Sequence, residues 1–471
     1  MNRRWISALA AAILLFGTFA SASAQSDALW YPQITQQMPI VSIITENGNN
    51  HFAKAYTREH KLQGMIDYVN GSVSVSNCEQ QEALSNEKAQ VKVRGNWTLD
   101  YPKKSIRIKF DKKQSMLGMN ENQAYKSWVL LAEWKDLSML NTPAALFLAQ
   151  NILGRDGYYC TDYRFVQLYI NGEYWGVYLL VEQQEANPGR VEIARQEKDA
   201  PDRYTGYLIE YDAYFQEEAA LPGGDPVFEV YHTGLDGEQY GYTVKSDIIN
   251  SRQLSFLRTL IRLIYRTCYA AVNENRHFSF NEKYTELVAA ESTSVQETVG
   301  QVIDLPSLVD TYLLNEIICN PDLGWSSFYL SVDLSKNGSK KLTFQAPWDF
   351  DSAFGIRSGY EDSRQIYAAH AGNHWLRLFA SQPWFMEMVK ERWQEIKAQG
   401  IPEKTLALIL TLQETYAPCF EQNSARWPSR IAQGNHELIE ELNNCQSQQE
   451  AADYLYRWLS DRFSFLDAQW Q

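Results

Sequence analysis

The chain has 471 residues, with 43 Lys or Arg against 57 Asp or Glu, so its formal net charge is −14. This acidic balance argues against general nucleic-acid binding, because nucleic acid is itself a polyanion. Six widely spaced cysteines without a C-x-x-C pair do not suggest a disulfide scaffold or a cysteine zinc site. One disulfide, Cys419 with Cys445, is predicted. The length suits one large two-lobed unit or two ordinary domains.

The first residues are typical of a secretory signal. A basic start precedes an apolar stretch from Ile6 to Phe19, and Ala22-Ser23-Ala24 fits the small-x-small cleavage rule. The apolar stretch is short for a membrane span, although an uncleaved anchor is the alternative. We therefore expect a signal peptide over residues 1–24, cleaved after Ala24, and a leader over residues 25–37. The protein is expected to be secreted or periplasmic, with no membrane span after cleavage.

Strand patterns dominate the first part of the chain, and Asn70-Gly71 and Asn171-Gly172 carry turn chemistry. A helix is predicted over Asp136–Leu153, ended by Gly154. The predicted strands are Pro39–Ile44, Met65–Val75, Ala89–Val93, Ser105–Phe110, Trp128–Ala132, Tyr163–Ile170 and Trp175–Glu182.

A polar stretch over Pro188–Tyr204 predicts the boundary between a sheet-rich lobe, residues 38–200, and a helix-rich lobe, residues 201–471. After it come a strand over Gly206–Tyr211 and a hairpin around Asn337-Gly338. The predicted helices are Ser251–Ala271, Leu305–Cys319, Trp375–Ala380, Trp384–Gln399, Glu403–Tyr416, Arg430–Asn443 and Gln449–Phe465. Strands followed by helices favour the α+β class.

Three aspartates stand at predicted element ends in the second half. Asp322 follows a helix, a hairpin comes next, and Asp349 and Asp351 stand where its second strand ends. Because a tight hairpin brings its two ends together, we expect these carboxylates to converge. Protein kinases use the same order, with one carboxylate for the attacking hydroxyl and another for Mg²⁺ on the phosphates. Ordinary turn or capping acids are the alternative for all three.

The first half holds candidates for nucleotide contacts. Arg94-Gly95-Asn96 precedes Lys104 at the start of a strand, and turn donors followed by a strand-borne cation are typical of a phosphate cradle. Surface lysines are the alternative. Glu182 ends a strand and could contact a nucleotide or order a cation, with an ordinary strand-end acid as the alternative. His370 and His374 lack Glu and Cys companions, so we expect solvated or capping residues there.

Six sequence blocks occur together in this chain. They are RGNWTLDYPKKSIRIKF (94–110), WVLLAEWKDLSMLN (128–141), RFVQLYINGEYWGVYLLVE (164–182), GYLIEYD (206–212), LLNEIICNPDLGWSSFYL (313–330) and WDFDSAFG (348–355). As an ordered set they resemble the spore coat protein H (CotH) kinase family of atypical secreted protein kinases. The resemblance spans roughly residues 90–395, and residues 400–471 are similar only as a helical tail.

The resemblance implies a kinase-like two-lobed fold that binds ATP and Mg²⁺, with Mn²⁺ as an alternative metal. It implies transfer of phosphate to Ser or Thr of an exported protein partner. Asp322 corresponds to the catalytic Asp, Asp349 to the metal ligand and Asp351 to a supporting ligand. Lys104 corresponds to a phosphate-binding Lys, with Arg94 nearby. Ser327 stands where ordinary kinases place a metal-binding Asn.

Two other functions stay open at this point. One is a kinase-fold surface adhesin or carbohydrate-associated binding protein without catalysis, because an exported protein meets little ATP and the chain is rich in Trp and Tyr. The other is a metal-dependent hydrolase that uses Asp349 and Asp351.

Overall fold

The computed structural model describes residues 29–197, 202–235, 239–292, 294–428 and 437–470. Residues 32–471 form one compact unit. The signal peptide expected over residues 1–24 lies outside the described residues. Residues 32–37 of the expected leader form no helix or strand. They are held by contacts, since Arg164 Nη1 donates to the Gln33 carbonyl at 3.1 Å and Thr35 N donates to the Tyr416 hydroxyl at 3.2 Å.

Seven strands between residues 40 and 182 close into a barrel. In the order β1-β2-β3-β4-β5-β7-β6 they are antiparallel neighbours, and a parallel pairing of β6 with β1 completes the ring. Strands β1 to β7 are Ile40–Thr45, Val69–Ser76, Leu84–Arg94, Ser105–Gln114, Tyr125–Leu131, Tyr163–Ile170 and Glu173–Glu182. Alternate apolar residues such as Val41 and Ile43 pack with Trp128 and Tyr178 in its core. The predicted strands of this part are confirmed.

The two Asn-Gly pairs adopt different structures, one a turn and the other part of a strand. Asn171-Gly172 joins β6 to β7, as predicted, with positive φ at both residues. The turn predicted at Asn70-Gly71 is wrong, because both residues lie inside β2 and pair with β3. Glycine is required there by a close approach of β1, since a Cβ on Gly71 would lie 2.4 Å from the Ile44 carbonyl oxygen.

Four short helices accompany the barrel. They are α1 (His51–Lys54), α2 (Arg58–Leu62), α3 (Met119–Asn122) and α4 (Asn141–Ile152). Helix α4 begins later than the predicted Asp136. The Asp136 carboxylate accepts hydrogen bonds from the main-chain N–H groups of Ser138 and Asn141, both at 2.8 Å. These hydrogen bonds form a non-helical turn between Asp136 and Asn141, so the helix begins only at Asn141.

A second sheet is antiparallel and has the order β14-β13-β8-β10-β9. Its strands are β8 (Gly206–Tyr211), β9 (Val227–Tyr231), β10 (Gln239–Val244), β13 (Phe328–Asp333) and β14 (Leu342–Phe344). A separate ribbon pairs β11 (Phe278–Phe280) with β12 (Leu287–Ala289). Glu210 has Tyr329 and Thr243 as cross-strand neighbours, so one face of the sheet is polar. The hairpin predicted around Asn337-Gly338 is confirmed by the pairing of β13 with β14.

The remaining helices pack against one another and against both sheets, and the mixture of helices and sheets confirms the α+β class. They are α5 (Phe215–Ala220), α6 (Ser251–Glu274), α7 (Val295–Val302), α8 (Leu305–Ile318), α9 (His374–Ala380), α10 (Pro383–Ala398), α11 (Ile401–Arg426), α12 (Glu440–Asn443) and α13 (Gln448–Gln469). Of the predicted helix Arg430–Asn443, residues 430–436 lie outside the described residues. Among the described helices, none is both long and apolar enough to cross a membrane.

Helix α8 is buried from Ser307 to Ile318 and is joined to α13 by an internal ion pair. Arg462 Nη2 lies 2.6 Å from Glu316 Oε1, and both side chains are completely buried. The same carboxylate accepts main-chain hydrogen bonds from Tyr367 at 2.7 Å and Ala368 at 2.8 Å. One buried acid therefore fixes a helix and a loop to the centre of the fold.

His374 is not solvated, contrary to expectation. It is the first residue of α9 and is buried in an aromatic cluster. Its Nε2 lies 3.0 Å from the Tyr242 hydroxyl, and Nε2 of His232 lies 3.2 Å from the same oxygen. Burial lowers the pKa of His232 to about 3 and that of His374 well below its ordinary value. Both imidazoles are therefore neutral at physiological pH.

All six cysteines lie within the described residues, and each is a free thiol. The predicted disulfide between Cys419 and Cys445 is wrong for this structure. Cys419 is half-buried on α11, whereas Cys445 precedes α13 and its thiol donates to the Glu441 carbonyl at 3.5 Å.

Candidate active site

The structure brings the three predicted aspartates together. Asp322 lies in the 3₁₀ turn Pro321–Gly324 directly after α8, and Asp349 and Asp351 lie in the loop after β14. Burial and then the charges of Asp351 and Asp322 raise the pKa of Asp349 to about 7. Burial likewise raises the pKa of Asp322, and the Asp351 carboxylate contributes. Because the Asp351 charge acts on both Asp322 and Asp349, the three carboxylates lie near one another.

Asn320 joins the two loops that carry these acids. Its side-chain oxygen accepts a hydrogen bond from the main-chain N–H of Asp322 at 3.1 Å, and its side-chain nitrogen donates to the Asp349 carbonyl at 3.1 Å. Cys319, which ends α8, and Asp349 both have left-handed backbone conformations, with φ of 48° and 68°. The amide of Asn320 therefore sets the spacing of two irregular loops.

Sequence reasoning missed cations that lie next to the acids. Arg357 Nη1 is 3.6 Å from Asp322 Oδ1. Lys135 is another. It comes from the segment between β5 and α4. Its Nζ lies 2.8 Å from the Ser352 hydroxyl, 3.5 Å from Glu437 Oε2 and 3.8 Å from Asp351 Oδ1. Burial opposes the charged form, but Asp351 and Asp322 outweigh it and raise the pKa of Lys135. The sequence signal that could have pointed to Lys135 is the charged stretch from Glu133 to Asp136, which follows a buried strand.

Arg94 ends β3 and is the predicted cofactor residue that lies beside the acids. Its guanidinium is 5.5 Å from the centre of the Trp348 ring, which immediately precedes Asp349. Burial lowers the pKa of Arg94, while Tyr329 and Asp349 oppose that shift. A half-buried guanidinium next to a carboxylate is suited to phosphate oxygens as well.

Oppositely charged side chains of α2 and α5 lie close together, among them Arg58 and Glu217. Burial lowers the pKa of Lys61, and Glu218 and Glu217 of α5 act in the opposite direction. On the sheet side, burial and the Glu210 charge raise the pKa of Asp212 to about 6. A recess adjoins Asp349 and is lined by polar and aromatic residues, among them Asn315, Asn320, Ser327, Tyr329, Gln345 and Trp348.

The sequence matches the family described as CotH kinase protein over residues 91–466. The chain belongs to the CotH kinase family. The match contains all six blocks and continues through most of α13, so the expectation that residues 400–471 resemble the family only as a helical tail is corrected. A comparison with curated proteins finds no match.

In this CotH kinase chain the loop after Asp351 packs against the last helix. The Tyr454 hydroxyl donates to the Gly355 carbonyl at 2.9 Å, and Trp458 Nε1 donates to the Glu361 carbonyl at 2.8 Å. A Cβ on Gly355 would lie 2.2 Å from Trp458 Nε1, and its φ is 69°. The glycine that closes the WDFDSAFG block is therefore required by both conformation and space.

Lys104 contacts main chain rather than the three acids. Its Nζ donates to the carbonyls of Leu99 and Tyr101, both at 2.6 Å. Burial lowers the pKa of Lys104. A phosphate contact would require the ammonium to leave these two carbonyls, so its role as a phosphate-binding residue stays a prediction.

Glu182 is likewise engaged by neighbours. It lies completely buried at the end of β7, where Oε1 is 3.2 Å from Arg190 Nε and 2.8 Å from Asn120 Nδ2. Its Oε2 accepts the main-chain N–H of Asp162 at 3.1 Å. Burial raises the pKa of Glu182, and Arg190 opposes the shift. These contacts fix the segment that leaves the barrel, and a nucleotide contact by Glu182 stays a prediction.

The donor set of this CotH kinase site fits Mg²⁺ or Mn²⁺ that arrives with phosphates. In the part of the chain that the structure describes, no three Asp, Glu, His or Cys side chains form a ready-made metal group. Mg²⁺ is usually held by one or two carboxylates, with phosphate and water oxygens completing its shell. Asp349 and Asp351 supply such hard oxygen donors, and the raised pKa of Asp349 marks negative charge that a cation would offset.

Proposed function

We propose that this chain is an exported protein kinase that transfers the γ-phosphoryl group of ATP to Ser or Thr of an exported protein partner, with Mg²⁺ or Mn²⁺. Family membership supports kinase-type chemistry. The observation that carries the proposal is the convergence of Asp322, Asp349 and Asp351 beside Lys135. In this proposal the barrel side, residues 38–200, and the helix-rich side, residues 201–471, act as the two kinase lobes.

Asp322 is proposed to accept the proton of the acceptor hydroxyl group. The acceptor hydroxyl oxygen bonds to the γ-phosphorus, the bond from that phosphorus to the β–γ bridging oxygen breaks, and ADP leaves. Asp322 orients the hydroxyl and takes up its proton. Burial raises the pKa of Asp322, which makes its carboxylate a better proton acceptor.

The metal and two cationic side chains are proposed to contact the phosphates of ATP. Asp349 and Asp351 would hold Mg²⁺, which supplies charge neutralisation at the transferring group when bound. Arg94 offers a planar fork for phosphate oxygens, and Lys135 offers a point charge next to Asp351. The proposal gives no nucleotide contact to Lys104 or Glu182, because both side chains are held by protein groups.

The test uses the mature chain, residues 25–471, incubated with γ-labelled ATP and Mg²⁺ or Mn²⁺. We expect label on Ser or Thr of the chain itself or of a Ser/Thr-rich acceptor, and a thermal shift with nucleotide and metal. Asp322→Asn and Asp349→Asn should abolish labelling, whereas Asp362→Asn, at an exposed position, should not. Absence of both labelling and thermal shift contradicts the proposal, and phosphate release without an acceptor would favour the hydrolase.

One observation favours a second candidate, the adhesin or carbohydrate-associated binding protein. Trp97 follows Arg94 closely and Trp325 follows Asp322 closely, and each side chain is 54% exposed. The Arg58 guanidinium covers one face of the Trp97 ring at 4.1 Å, and the remaining exposed aromatic surface is suited to packing on a binding partner. Glycan-array binding that survives in the Asp322→Asn/Asp349→Asn double variant and is lost in Trp97→Ala/Trp325→Ala would favour this candidate.

A further inference from the structure

Asp349 is connected to the second sheet by an unbroken row of polar contacts. The Ser327 hydroxyl donates to Asp349 Oδ2 at 3.1 Å, and the Ser327 main-chain N–H donates to Glu210 Oε1 at 2.9 Å. The other oxygen of Glu210 lies 3.1 Å from Lys245 Nζ, which also pairs with Asp225 at 3.0 Å. Each link is within direct bonding distance.

Glu210 is suited to hold a loop in place. It lies on β8, between β13 and β10 in the middle of the sheet, and its residue is only 8% exposed. One carboxylate oxygen holds the Ser327 N–H while the other faces Lys245, so the side chain is engaged at both oxygens. A hydrogen-bond partner directly before the paired strand β13 and a charge partner restrict its rotamer.

Ser327 needs such a partner because its backbone is left-handed, with φ of 61°. That conformation is uncommon for a residue with a Cβ and persists when surrounding contacts favour it. The bond from its N–H to a carboxylate is a strong contact of that kind. In this conformation the Ser327 hydroxyl reaches Asp349 Oδ2, so the second oxygen of Asp349 is available to a cation.

We infer that Glu210, held by Lys245, is a positioning residue for the metal-binding carboxylate of Asp349 and acts through Ser327. The inference rests on the proposed function for the metal role of Asp349. Groups that orient a metal ligand typically affect metal affinity about 10–100-fold when removed. A purely structural role for the Glu210–Lys245 pair would instead lower stability and leave metal affinity alone.

The test titrates Mn²⁺ into the mature chain with a non-hydrolysable ATP analogue, followed by electron paramagnetic resonance. Ser327→Ala, Glu210→Gln and Lys245→Met should each weaken Mn²⁺ binding, by about 10-fold or more for the first two. Affinity for the analogue without metal should be unchanged. The matched control is Glu274→Gln, which breaks a partly buried pair with Arg266 on α6 and should not change Mn²⁺ binding. Mn²⁺ affinities within about twofold of wild type in folded Ser327→Ala and Glu210→Gln would overturn the inference.

A second readout needs no metal. Hydrogen exchange at the Ser327 amide should become about tenfold faster or more in Glu210→Gln, because the acceptor is weakened, and remain unchanged in Glu274→Gln. Unchanged exchange in Glu210→Gln overturns the inference. If wild type binds no Mn²⁺, the proposed function loses its metal, while the exchange result still decides whether Glu210 holds Ser327.

Discussion

Lys135 and Asp351 face each other with Nζ 3.8 Å from Oδ1. Lys135 precedes α4 and Asp351 follows β14, so the contact joins the segment that leaves the barrel to the loop that carries the acids. The Ser352 hydroxyl oxygen, 217 positions along the chain from Lys135, accepts a hydrogen bond from Lys135 Nζ at 2.8 Å. One lysine therefore adds positive charge beside the acids and joins two segments that are distant in the sequence.

Replacement of Lys135 tests this dependence. We expect Lys135→Met to lower kcat/KM for phosphoryl transfer about 10²–10³-fold, because a preorganised charge beside the reacting phosphates is lost. Lys135→Arg should retain part of the activity. Lys126→Met, at an exposed position on β5, is the matched control. A Lys135→Met enzyme as active as that control would exclude a role for this ammonium.

Variants of Arg94 and Lys104 should differ in whether they change nucleotide binding or the free energy of unfolding. Arg94→Met should weaken binding of the nucleotide–metal complex about tenfold or more, because a charged phosphate contact is typically worth about 1.5–3 kcal/mol. Lys104→Met should leave this affinity unchanged but lower the free energy of unfolding by about 1–3 kcal/mol, because the Leu99 and Tyr101 carbonyls lose their donor. Calorimetric titration and urea unfolding measure the two effects. The reverse pattern would identify Lys104 as the phosphate ligand.

The buried pair of Glu316 and Arg462 predicts a large stability effect. Arg462→Met should lower the free energy of unfolding by about 3–5 kcal/mol, because it leaves the Glu316 carboxylate buried without its cation. The double variant Glu316→Gln/Arg462→Met should be less destabilised than the sum of the single variants. Urea unfolding checks both statements, and Arg364→Met, from an exposed pair with Asp461, is the control. Strict additivity would show that the pair is not coupled.

His232 and His374 predict acid sensitivity. Their pKa values are lowered in the folded chain, His232 to about 3, whereas an unfolded histidine titrates near about 6.5. The unfolded state therefore binds more protons below that pH, so stability is complete above about pH 6.5 and falls as the pH drops below it. Two such groups give a slope of up to about 2.7 kcal/mol per pH unit.

Urea unfolding between pH 7 and pH 5 measures this slope. Removal of one titrating group in His374→Gln should halve the histidine contribution to it, whereas His51→Asn, at an exposed position, should leave it unchanged. Equal slopes in wild type and His374→Gln would contradict the assignment.

Local patterns in the sequence were sufficient for much of the fold and for three residues of the site. The hairpin that brings Asp322 and Asp349 together is encoded within a short stretch, so their convergence could be predicted. The Asn171-Gly172 turn is equally local. Asn70-Gly71 was misassigned because the same dipeptide serves a close approach between strands, which depends on a neighbour and not on the dipeptide itself.

The residues that sequence reasoning missed act through distant partners. Lys135 contacts Ser352 and Glu437, and Glu210 contacts Lys245 and Ser327, so neither has a signature in its own segment. His374 follows the same rule, because its burial is set by aromatic residues of β10 and α6. Side chains whose environment comes from long-range packing cannot be placed by spacing alone.

The packing of Gly355 and Glu361 against α13 has a consequence for biosynthesis. Helix α13 follows the acid loop in the sequence, so its Tyr454 and Trp458 leave the ribosome after every residue of that loop. A nascent chain that ends before them has a loop around Asp349 without its supporting helix. The supported form of the acid loop therefore assembles only after Tyr454 and Trp458 have been synthesised.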